Sequence, residues 1–152
     1  MKKLATVTLS AALALTSTTV FADDKIEDAI DYRQSVFTAI RYNFGTMGDM
    51  MKGKIDFDAK EFNRRADNVA ALSKMPLEAF IPGSYKDSDD DTDALPAIGE
   101  NWDKFSKGMG MFGDNAAALA STATDSSSKD DVASAFMKVA KSCKGCHDNF
   151  KD

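Results

Sequence analysis

Apolar residues recur at alternating steps of four and three along most of this chain, and no stretch alternates with a period of two. That pattern predicts helices and no strands. It is clearest from Asp24 to about Met51, where Ile26, Ile30, Arg33, Phe37, Ile40, Phe44, Met47 and Met51 share one stripe. Stripes of this kind pack helix on helix at shallow crossing angles, as in bundles. A second line, Ala29, Tyr32, Val36 and Ala39, lies beside the first. The two lines either form one wide core face or divide between the monomer core and a homodimer interface. Arg33 is the one charged residue on the stripe.

Gly53 suits the left-handed cap that ends this helix. Asp58 opens the next, with Glu61 three residues on in a capping-box arrangement. Phe62, Ala66, Val69 and Leu72 or Ser73 mark its buried side, and Pro76 limits it. A third helix is predicted from about Gly99 to Ala120, with Trp102, Phe105, Met109, Phe112, Ala116 and Leu119 in line. Gly108, Gly110 and Gly113 weaken it by about 1 kcal/mol each relative to alanine. They point either to the close approach of something flat or bulky or to a frayed surface helix. Ser128, with Asp131 three residues on, caps the last helix. Its stripe is Val132, Phe136, Val139, Cys143, Cys146 and Phe150. The predicted fold is therefore all-α, an antiparallel four-helix bundle.

Between the second and third helices, Met75 to Gly99 reads as a long connection. It holds the three prolines and an acidic run from Asp87 to Asp93. With Asp89 as first ligand, Asp91, Asp93 and Glu100 would be third, fifth and twelfth of a calcium loop. Ala94 stands where that loop needs glycine, Pro96 interrupts it, and Leu77 to Tyr85 is a poor entering helix. A solvated acidic loop fits these residues better.

Composition changes the picture at the N-terminus. Met1-Lys2-Lys3 is followed by an apolar, small-residue run from Leu4 to about Val20, and Val20-Phe21-Ala22 suits small-residue cleavage. Residues 1–22 thus read as a cleaved signal peptide, which implies export to the periplasm, and 23–152 as a single domain. Without Lys2 and Lys3 the formal charge moves from −5 to −7. An acidic surface argues against nucleic acid and anionic membrane, and would favour a basic redox partner. Nothing in 23–152 is apolar for long enough to span a bilayer.

The candidate chemistry lies near the C-terminus, in Cys143-Lys144-Gly145-Cys146-His147. This stretch holds both cysteines and the only histidine. Cys-x-x-Cys-His is the attachment pattern of a c-type haem, with both thiols bonded to the porphyrin edge and His147 as the axial iron ligand. A redox disulfide would sit in a strand–helix setting that is not found here. A structural zinc site needs four ligands, and these residues supply three. A plain disulfide would not require the adjacent histidine. His147 falls one turn beyond Cys143, on the line Phe136, Ala140, Cys143, His147, which places the motif on the inner face of the last helix. No general acid–base or nucleophile constellation stands out, so the chain does not read as an enzyme.

A four-helix bundle with this motif on its final helix resembles cytochrome c'. The resemblance covers all of 23–152. It rests on the Cys143–His147 motif, on Glu27-Asp28-Ala29-Ile30-Asp31-Tyr32-Arg33-Gln34, and on Pro76-Leu77-Glu78-Ala79-Phe80-Ile81-Pro82-Gly83. Ordinary cytochromes c carry the motif near the N-terminus, with a downstream methionine ligand. The resemblance implies one covalent haem c, iron that is five-coordinate and high-spin with His147 as its one protein ligand, and binding of NO and CO on the opposite face. Phe37 matches the apolar residue that closes this distal face, and Phe80 an aromatic residue near it. Arg33 matches an arginine near the haem propionates, and Gln34 a polar neighbour. Lys151 departs from the pattern: the residue four after the histidine is often arginine, shielding the proximal imidazole. Lysine lacks the planar fork.

Electron transfer by a six-coordinate haem is the alternative. Related low-spin bundles take a methionine where Phe37 stands here. Met47 is ten residues further on, about 15 Å along a helix, and methionines at such spacings are usually core filler.

Overall fold

Asp58 and Ser128 start two of the long helices by giving side-chain acceptors to backbone N–H groups that a helix leaves unpaired. In the computed structural model, which describes residues 20–86 and 92–152, the element order is α1 (Val20–Met51), α2 (Ala59–Leu72), a 3₁₀ turn (Pro76–Ala79), α3 (Ala97–Glu100), α4 (Trp102–Thr122) and α5 (Lys129–Phe150). Asp58 accepts from the Glu61 N–H at 3.0 Å. Glu61 does not complete the box; its carboxylate binds Arg64 and Arg65 instead. At Ser128 both halves form, with Asp131 accepting from the Ser128 N–H at 2.7 Å. Gly53 closes the end of α1 at φ 70°, as expected of a glycine there.

The expected third helix is divided. Asn101, at φ −127° and ψ 44°, separates the single turn α3 from α4. Its side-chain amide and its backbone N–H both bind the Ala97 carbonyl, at 3.1 and 3.0 Å. That local capture competes with a continuous helix. Trp102, just beyond the break, is 40% exposed, while Phe105, Met109, Phe112, Ala116 and Leu119 are buried as their spacing predicts.

The four long helices α1, α2, α4 and α5 form the bundle. The 3₁₀ turn and α3 belong to the crossover between its halves. Phe62, Met47, Val69, Ala116, Leu119, Val132 and Val139 are sealed at its centre. Phe44 stacks on Phe136 at 4.5 Å, which joins α1 to α5, and Phe62 reaches Phe136 at 6.3 Å. Val36, from the second line of α1, is also buried in this core, whereas Tyr32 is 39% exposed and donates to Glu78 at 3.0 Å.

The crossover and the C-terminus are fastened together. Ala94 and Lys151 form an isolated antiparallel bridge, with Leu95 N–H on the Phe150 carbonyl and Asp152 N–H on the Asp93 carbonyl, both 3.0 Å. No strand occurs among the described residues, and none of their helices is long and apolar enough to cross a membrane. Residues 1–19 of the expected signal peptide and Asp87–Asp91 of the acidic run lie outside the described residues.

Candidate haem site

The last two turns of α5 carry the motif. Cys143 is half-buried against the core, Cys146 is half-buried one turn on, and His147 stands at the exposed edge of the same face. Both cysteines are free thiols. Burial pushes both thiols above the usual cysteine pKa, and a neighbouring Cys146 charge adds to the effect at Cys143. Partial desolvation holds the His147 imidazole below the usual histidine value, and the Lys151 charge acts in the same direction.

Opposite Cys146, α4 presents Gly108. A Cβ at that position would lie 3.2 Å from the Cys146 sulfur, so glycine leaves the thiol room that any side chain would take. Gly110 shows no such approach, and at Gly113 a Cβ would make ordinary contact with Ser73. Beside this point a cavity of about 380 Å³ opens between α4 and α5, with Cys146, Gly108 and Phe150 in its lining.

The residues expected on the distal face come together. Phe37 and Phe80 meet edge to face with centroids 6.4 Å apart. The Arg33 guanidinium lies 4.8 Å over the Phe80 ring. Arg33 is only 2% exposed. It donates to the Ala79 carbonyl at 2.9 Å, to both the hydroxyl and carbonyl of Ser84, and to the Thr92 hydroxyl at 2.9 Å. All of these acceptors are neutral, and burial lowers its pKa. Arg33 thus anchors the crossover around Phe80, a role its place on the stripe did not reveal. Gln34, the next residue, is exposed.

A run of rings connects this cluster to the end of α5. Phe80 meets Phe105 at 4.6 Å, and Phe105 meets Phe150 at 5.3 Å. Phe105 and Phe150 were legible as core positions, but their link to Phe80 depends on how the crossover folds back. Ser84 and Thr92 carried no signal at all, being small polar residues in a polar connection.

Lys151 points toward the crossover. Its ammonium pairs with Asp93 at 2.7 Å, and its N–H binds the His147 carbonyl at 3.3 Å. Asp93, one of the acidic residues considered for calcium, is thereby committed to a cation of the chain itself. No cluster of three or more metal-ligating side chains occurs among the described residues.

The free thiols one turn apart, the histidine beside the second, the glycine facing Cys146 and the buried aromatic cluster all fit a covalently held porphyrin. Fold and site together define a helical-bundle haem protein of the c type. The cytochrome c' family model matches residues 28–151, and the chain belongs to that family. It is 41% identical over 127 residues to cytochrome c' of Halomonas halodenitrificans, covering 82% of this chain and 96% of that protein. Among solved structures it is similar to cytochrome c prime from Shewanella frigidimarina, with 54% identity and a TM-score of 0.78 over 84% of this chain and 96% of that one. It is also similar to a nitric oxide complex of a mutant cytochrome c prime from Alcaligenes xylosoxidans, with 34% identity and a TM-score of 0.73 over 84% and 95%. As in its family, Cys143 and Cys146 attach one haem c.

Proposed function

We propose that this chain is a periplasmic gas-binding haem protein whose iron is five-coordinate and high-spin, with His147 as its one protein ligand. The bound haem supplies an iron atom at which a diatomic molecule can coordinate. Phe37 covers the distal face, and NO, and also CO, bind there by displacing its ring. The observation that carries this reading is the Phe37–Phe80 pair, an apolar aromatic lid offering no hydrogen-bond donor. A bound O₂ gains stability from a donor, because it carries partial negative charge; NO on ferrous iron needs none. The lid therefore filters ligands by size and polarity.

The role that follows is NO sequestration or tolerance. Residues 1–22 act as the export signal, consistent with haem attachment outside the cytoplasm. The exposed Tyr32 side of α1 is the surface for a homodimer, and a redox protein returns the iron to its ferrous state. The nitric oxide complex of the Alcaligenes xylosoxidans mutant, a structure this chain resembles, supports the choice of ligand. Anaerobic titration of the ferrous protein with NO tests it. A saturable change in the haem absorption bands is expected; bands that NO leaves unaltered would overturn the reading.

A further inference from the structure

The cavity beside Cys146 has a charge unlike that of the whole molecule. The chain carries 24 acidic and 19 basic residues. The cavity lining nevertheless includes Lys104, Lys138 and Lys141 and no carboxylate. None of these three lysines forms an ion pair among the described residues. Lys104 is steadied instead by Asn149, at 2.9 Å, and by the Phe150 ring. Asp148, on the next turn, is already paired with Lys144 at 2.6 Å.

Apart from the lysines, the lining is largely apolar. Met111 is 55% exposed within it. An exposed methionine sharing a groove with charge of one sign suits a small, transient protein interface. Cys146 lies in the lining, so the groove adjoins the edge at which the haem is attached. An electron entering there would have a short path to a haem held by Cys146.

We propose that this groove is the docking surface for an acidic one-electron redox protein. The partner's reduced centre gives up one electron, the ferric iron accepts it and becomes ferrous, and no bond or proton is transferred. The groove reverses what the net charge alone suggests, because close docking responds to local potential once salt screens the distant charges. The proposal rests on haem attachment at Cys146 and not on the gas-binding reading.

Stopped-flow reduction of the ferric holoprotein by hydroquinone flavodoxin, an acidic redox protein, tests it. The wild-type rate should fall as ionic strength rises. Lys138→Glu with Lys141→Glu should lower the low-salt rate by about tenfold, the scale of electrostatic steering, and remove most of the salt dependence. The milder pair Lys138→Gln and Lys141→Gln should move both in the same direction by less, which preserves the test if the glutamate pair misfolds. Lys52→Glu, at the far end of the bundle, should change neither. Binding of NO should be unaltered in every variant, so the two readings fail separately. A wild-type rate that rises with salt, or lysine variants that react like wild type, would overturn the proposal.

Discussion

Phe37 and Phe80 meet edge to face at 66°, but they are held unequally. Phe80 is 8% exposed and fixed from two further sides, by the Arg33 guanidinium and by the Phe105 ring. Phe37 is only half-buried. A ligand arriving over the haem would therefore move Phe37 and leave Phe80 in place. In the proposed lid one ring, Phe37, would move, braced by Phe80, which Arg33 and Phe105 hold in place.

Removing the mobile ring isolates its contribution. An edge-to-face pair is worth about 0.5–1.5 kcal/mol beyond its burial. If that contact is what an entering ligand must break, Phe37→Ala speeds CO association by about twofold to about tenfold. Flash photolysis of the ferrous CO complex measures it. An unchanged rate would remove Phe37 from the role.

Gly108 provides a test of haem attachment that does not involve gas. Its missing Cβ would meet the Cys146 sulfur at 3.2 Å. Alanine gains about 1 kcal/mol of helix propensity over glycine, which offsets the cost of its tight contact with the sulfur, so Gly108→Ala should be close to neutral in stability. Gly108→Leu fills the space next to the thiol and should sharply reduce covalent haem. Intact-protein mass spectrometry reads the loss directly; full haem loading in the leucine variant would show that the close approach has no part in attachment.

The fastening of the C-terminus depends on pH in a definite direction. Lys151 holds the Asp93 carboxyl below its usual value, chiefly by hydrogen bonding and then by its charge. A depressed carboxylate contributes stability above the ordinary aspartate range, and that contribution is lost as pH falls through the lowered value. Both partners are exposed, so the effect is small. Thermal unfolding from about pH 6 down to about pH 2 should show Asp93→Asn less stable than wild type at the upper end. The two proteins should converge at the lower end. A gap that persists at the lowest pH would mean that the ion pair is not its source.

Much of this was legible in the residues themselves. The α1 stripe, the caps at Asp58 and Ser128, the glycine stop at Gly53 and the haem motif all depend on local spacing or local bonding, which a sequence displays directly. The pairing of Phe37 with Phe80 was reachable only through family resemblance, since the two rings are far apart in the chain. The environment of Arg33 was not legible. Its acceptors Ala79, Ser84 and Thr92 come from a crossover with no hydrophobic period, and only the folded chain brings them to one guanidinium. The break at Asn101 escaped for the opposite reason. The apolar spacing of α4 begins at Trp102, immediately after it, and side-chain capture of a carbonyl leaves no periodic trace.

The central claim is that an aromatic residue covers the distal face and no second protein ligand reaches the iron. One pair of absorption spectra tests it most directly: the ferrous protein with and without CO. A broad high-spin spectrum that shifts on CO addition is the predicted result. A sharp low-spin α-band that CO leaves unchanged would contradict the account and establish a six-coordinate electron carrier instead.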